Sequence, residues 1–204
     1  MKYAALWLSA VCILMFILQL IFPAVTDSLV LDNQSYVQPY RFVTSIFLHG
    51  SLEHLIFNLF ALIMFGLILE SLIGSRKFLI VFFVSGILAN LIAVNFYTSS
   101  LGASGAIYGI IGCLAILRPL MTVWAFNLPM PMFIAAILWI TLSVIGIFNP
   151  TDNTGHIAHI SGIAFGVILG IIFRVGRKEP KVIKERIFIP EEDLRRFEKD
   201  YFGR

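Results

Sequence analysis

Of the 204 residues, 59% are hydrophobic and 13% are charged, and the mean hydropathy is +0.91, a composition outside the range of soluble domains. The formal net charge of +3 is informative only through its distribution along the chain, and nucleic-acid binding has no support. Long apolar runs without β-barrel alternation specify an integral membrane protein made of helices.

In chain order, apolar runs broken by charges or turn residues predict spans near 3–22, 53–70, 78–97, 104–117, 130–148 and 156–173. The first resembles a secretory signal, but its apolar stretch is longer than the usual ~7–15 residues and no small-residue cleavage site follows, so it is read as a retained span. Cys12 and Cys113 fall inside apolar runs and are expected to behave as small hydrophobes. The loop over 23–52 contains Tyr36, Tyr40, Phe42 and Phe47, aromatics suited to the headgroup region. Residues 175–204 carry nine basic and seven acidic side chains and read as a charged tail appended to a membrane domain over 1–174, with Pro190 suited to start a short amphipathic helix. Of the fifteen lysines and arginines, Arg41 alone falls in a loop on the side opposite the rest, so both termini are predicted to be cytoplasmic. The fold class is therefore an all-α polytopic membrane protein, a bundle of six transmembrane helices.

The fourth predicted span is short. Ser104 to Arg118 is fourteen steps, about 21 Å against a hydrocarbon core of ~30 Å. Its outer end is therefore partly submerged, and residues 98–103 must descend as non-helical backbone, which is tolerated at depth only against protein or a wet cavity. His159 to Arg174 is fifteen steps, about 22 Å, which brings His159 level with Ser104. Asn58 lies about 18 Å above Glu70 or about 27 Å above Arg76, a range that includes the same depth.

A serine hydroxyl becomes a nucleophile when an imidazole accepts its proton, and the imidazole then protonates the departing amine. Ser104 and His159 suit those two parts. His54, Asn58 and the backbone N–H of Ser104, free at a helix start, suit the donors that a tetrahedral oxyanion requires. Gly105 and Gly109, with Gly162, Gly166 and Gly170, allow the fourth and sixth spans to approach closely, and Tyr108 lies one turn after Ser104 where it can pack on the imidazole. Each feature also has a plainer reading: a backbone-bonded serine, packing glycines, a packing tyrosine, an interhelical asparagine, and His54 and His156 merely hydrated near the outer boundary. His54-x-x-x-Asn58 and His156-x-x-His159 lack a carboxylate or thiolate at matching depth, so no metal centre is expected, and neither is a cofactor.

From about Tyr40 to Arg174 the chain resembles the rhomboid intramembrane serine proteases of the six-span prokaryotic type. The residues that carry the resemblance are Tyr40-Arg41, where the family usually shows Trp-Arg, Phe47-Leu-His-Gly-Ser-Leu-Glu-His-Leu-Ile-Phe-Asn58, Gly66-Leu-Ile-Leu-Glu70, Gly102-Ala-Ser-Gly-Ala-Ile-Tyr-Gly109 and Ala158-His-Ile-Ser-Gly162 with Gly166. The resemblance implies a Ser104–His159 dyad without an acidic third member, an oxyanion site drawing on His54, Asn58 and the Ser104 amide, and a Tyr108 ring stacked on His159. Gly102 and Gly105 flank the nucleophile, and Arg41 and Glu70 are implied to organise the first outer loop and the second span. Also implied are single-span protein substrates cut near the outer side of their membrane segment, and gating by the fifth span or its outer loop. The small size and lack of an organelle signal suggest a prokaryotic plasma membrane, with membrane lipids as the other partner. The alternative is a non-proteolytic binder that escorts transmembrane clients on the same fold. His49 and His156 receive no role from the sequence.

Overall fold

The computed structural model describes residues 3–149, 154–175 and 190–203. In chain order the helices are α1 (Ala4–Ile21), α2 (Ala24–Leu29), α3 (Arg41–Thr44), α4 (Leu52–Ile73), α5 (Ser75–Ala93), α6 (Ser104–Leu117), α7 (Met132–Ile147), α8 (His156–Val175) and α9 (Glu191–Phe202). Two short antiparallel pairs accompany them: β1 (Leu31–Asp32) with β2 (Ser99–Ser100), and β3 (Thr122–Ala125) with β4 (Leu128–Pro131). Among the described residues, α1, α4, α5 and α8 are long and apolar enough to cross a membrane, while α6 and α7 are apolar but shorter. The molecule is an all-α polytopic membrane protein.

Helix boundaries follow local backbone chemistry. Ser51 accepts the N–H of His54 at 3.1 Å and caps α4, which runs to Gly74, where φ is +80° and the chain turns directly into α5. The expected third span, 78–97, begins and ends earlier. Ser75, Arg76 and Lys77 form its first turn, and at its far end the Asn95 amide donates to the carbonyls of Leu91 and Ile92 at 2.9 and 3.3 Å, closing the helix. The expected fifth span, 130–148, is also shorter, because Met130 and Pro131 belong to the β3–β4 hairpin and Pro131 caps the start of α7. The hairpin turns through Phe126 and Asn127, both with positive φ (54° and 61°), the signature of a two-residue type I′ turn.

The core is apolar and continuous, joining Leu62, Phe65 and Leu69 of α4, Phe78 and Phe82 of α5 and Ile110 and Leu114 of α6. Both cysteines lie within this core as free thiols. Side chains such as Phe60 point outward, at 63% exposure, as befits a surface that faces acyl chains. At the end of the bundle formed by the C-terminus of α4, the Glu70 carboxylate accepts the N–H groups of Ala4 and Ala5 at 2.8 and 3.0 Å and the Ser75 hydroxyl at 2.6 Å. One side chain thereby satisfies two orphan donors of α1 and joins three helices.

The α6–α8 contact is built on glycine. A Cβ added at Gly162 would strike the carbonyl of Gly105, and one added at Gly166 would strike that of Gly109, so the backbones touch with no side chain between them. Arg41 is buried under the loop that precedes α4. Its guanidinium donates to the carbonyls of Asp27 and Val30 (both 3.0 Å), to the Asp32 carboxylate (3.1 Å) and to Gln38 (2.7 Å). The β1–β2 pair then links that loop to the segment leading into α6. In the tail, α9 begins directly after Pro190, while residues 176–189 lie outside the described residues.

Candidate active site

The first turns of α4, α6 and α8 meet at one end of the bundle around a cavity of roughly 880 Å³. Its wall contains His54 and Asn58 from α4, Gly102 and Ser104 at the start of α6, Tyr108 one turn further, and His159 from α8. The residues singled out for chemistry thus share one hollow, whereas Arg41 and Glu70 lie away from it and act on the scaffold.

Ser104 opens α6 after a constrained turn. Gly102 has φ +125°, and its N–H donates to the carbonyl of Ser45 at 2.9 Å, which holds the turn against the loop preceding α4. The His54 ring presses on the same glycine: a Cβ built at Gly102 would lie 2.7 Å from His54 Cε1 and 2.9 Å from Nε2. One turn along α4, Asn58 Nδ2 donates to the His54 carbonyl at 2.8 Å, which uses one of its two protons and leaves the second for a ligand.

His159 is buried, and its imidazole stacks face to face on Tyr108 with ring centroids 4.1 Å apart and planes 7° apart. The stack fixes the ring plane. Tyr108 also borders a second hollow that it shares with Ser143 of α7. His156, one turn earlier on α8, meets His159 edge-on at 6.0 Å and packs into the space left by Gly146 of α7, where any Cβ would collide with its ring. This smaller hollow, of roughly 360 Å³, also borders Trp139 and His156. Among the described residues no cluster of three or more metal-ligating side chains is present.

Several contributors have no mark in the sequence. The Tyr97 phenol accepts the N–H of Ile157 at 3.0 Å and so supports the start of α8 two residues before His159. Gln19 of α1 grips the backbone of His49, accepting its N–H at 3.0 Å and donating to its carbonyl at 3.3 Å. His49 itself is almost fully buried behind His54, ring centroids 5.1 Å apart. Burial first, and the neighbouring His54 ring second, lower its imidazole to about 4, so it is neutral near pH 7. A single polar side chain in an apolar run gives no indication of its partner, and Tyr97 and Gln19 find theirs 60 and 30 residues away.

Residues 36–176 match the Rhomboid domain family profile. The chain is 32% identical over 149 residues to RHOMBOID-like protein 6, mitochondrial, of Arabidopsis thaliana, an alignment covering 70% of this chain and 47% of that protein. It is 30% identical over 161 residues to Rhomboid-type serine protease 2 of Emericella nidulans, covering 76% of this chain and 30% of the relative. It is 28% identical over 174 residues to human Rhomboid-related protein 3, covering 77% and 42%. The chain spans less than half the length of each of these relatives.

Proposed function

The chain belongs to the rhomboid family, and from that premise we propose that it is an intramembrane serine endopeptidase that cleaves single-span membrane proteins through Ser104 and His159. The observation that carries the proposal is the sharing of one cavity by Ser104, His54, Asn58 and a His159 ring held flat on Tyr108. In this mechanism the Ser104 Oγ attacks the scissile carbonyl while His159 takes the hydroxyl proton. The resulting oxyanion is met by the Ser104 N–H, the second Asn58 amide proton and a ring N–H of His54. His159 then passes its proton to the leaving amine, and water, deprotonated by the same imidazole, releases the acyl group and restores Ser104.

The substrate segment must unwind to present its carbonyl, because a helix in lipid hides every backbone group in its own hydrogen bonds. Small or helix-breaking residues near the cut would ease that step. The positive-inside asymmetry supports cytoplasmic termini and a cavity opening toward the outer side of a prokaryotic plasma membrane, with 1–174 as the protease domain and 175–204 as a cytoplasmic appendage. A serine-directed fluorophosphonate probe tests the reading. Attachment at Ser104 that disappears in His159→Ala is expected, whereas absence of labelling in the folded wild-type protein would favour a non-proteolytic client binder.

A further inference from the structure

We propose that His49 is a positioning residue that holds His54 in one ring orientation and one tautomer, with the His54 Nε2 proton directed at the Gly102–Ser104 turn. The inference rests on the reading of His54 as an oxyanion donor.

The Cε1–Nε2 edge of His54 is the one pressed on Gly102, while Nδ1 lies farther off at 3.9 Å from the same Cβ position. For that edge to donate, a neutral ring must carry its proton on Nε2 and keep Nδ1 as a lone pair. Which nitrogen holds the proton is set by what meets the other one. The His49 ring meets His54 at 65° and 5.1 Å between centroids, on a side chain only 2% exposed.

Neither His49 nitrogen makes a well-formed hydrogen bond among the described residues, although the Phe47 backbone lies close enough to act on the ring. For packing alone an imidazole is a poor choice here, since a phenyl ring would fill similar space without burying two polar atoms. A neutral imidazole offers one N–H and one acceptor, which suits it to complement the lone pair of a second imidazole. Gln19 holds the His49 backbone through both its N–H and its carbonyl, which fixes the point from which the ring extends, and near-complete burial restrains the ring's rotation. Catalytic hydrogen bonds are commonly loose before substrate binds, and the His49–His54 contact would tighten when charge develops next to His54.

The test uses the full chain in proteoliposomes with a single-span peptide substrate, and the variants His49→Phe, His49→Gln, His54→Ala and their combinations. His49→Phe is expected to lower kcat by about 10–100-fold, by analogy with the loss of a residue that orients a metal-bound histidine, with KM little changed. His49→Gln, which keeps a donor, should recover most of the loss. In a His54→Ala background His49→Phe should add nothing further. Nitrogen NMR of histidine-labelled protein should show His54 as a single Nε2–H tautomer that becomes a mixture in His49→Phe. Should phenylalanine not be accommodated, His49→Met takes its place in every arm.

Full kcat in folded His49→Phe, additive losses in the His54→Ala background, or a His54 tautomer indifferent to residue 49 would each overturn the inference alone. A wild-type kcat in His54→Ala would instead overturn the oxyanion reading, and this inference with it.

Discussion

Gly102→Ala places one methyl group between the turn that leads into Ser104 and a proposed oxyanion donor. At φ +125° any side chain strains the backbone, at a cost of about 1–3 kcal/mol. The new Cβ would lie 2.7 and 2.9 Å from two atoms of the His54 ring, whereas carbon contacts settle near 3.5–4.0 Å, so the ring must retreat by on the order of 1 Å. The ring is the movable partner, and the substitution should therefore spoil donor placement more than the fold. Oxyanion donors act within 2.7–3.1 Å, and a 1 Å misplacement can cost about 100-fold in rate. Initial rates on a fluorogenic single-span substrate in liposomes, paired with a melting curve, should show kcat reduced by about that factor with KM nearly constant. Gly50→Ala is the control, since its added Cβ would find only Leu101 Cδ1 at an ordinary 3.7 Å. A folded Gly102→Ala protein with kcat within about twofold of wild type would refute the placement of His54 at the oxyanion.

Ser104→Ala and His159→Ala should each remove more than about 1000-fold of turnover in protein that still melts cooperatively, because the proposed mechanism uses the two groups as a unit. The pH–rate profile should rise as an imidazole sheds its proton and becomes a base, and maximal activity at pH 4 would contradict that role. Glu70→Gln leaves one acceptor oxygen facing three donors, the N–H groups of Ala4 and Ala5 and the Ser75 hydroxyl. It should cost about 1–3 kcal/mol and accelerate hydrogen exchange in the first turn of α1, and unchanged protection there would disprove the cap. Gly166→Ala drives a methyl into the Gly109 carbonyl, and the overpacking should lower stability by about 1–3 kcal/mol in an unfolding titration; a neutral result would mean that α6 and α8 can separate freely.

Hydropathy and helical spacing made most of the bundle legible, because apolar length and small-residue rows are properties of single segments. The short α6 followed from counting residues between Ser104 and Arg118, and the glycine contact with α8 from the four-residue spacing of Gly105–Gly109 and Gly162–Gly166. The same periodicity brought Tyr108 to the face of Ser104, within reach of His159. What escaped was set by specific hydrogen bonds, which hydropathy does not measure. The fifth span was overextended because Met130 is as apolar in a strand as in a helix, and the third was displaced because the Asn95 cap outweighs the apolar residues beyond it. The position of Arg41 was conspicuous as a charge, but its partners, two carbonyls, a carboxylate and an amide, exist only once the loop is folded.

The β3–β4 hairpin has one further consequence for a protein surrounded by lipid. Ala125 pairs with Leu128 across the tight turn, so Leu128 and Met130 direct their N–H groups at β3, and positions 129 and 131 face away from the ladder. Both outward positions are proline, so that margin of the ribbon has no amide proton that hydrocarbon would leave unsolvated or that a stray strand could recruit. Substituting either ring would create a donor with no acceptor, in the surroundings where such a group is hardest to hide.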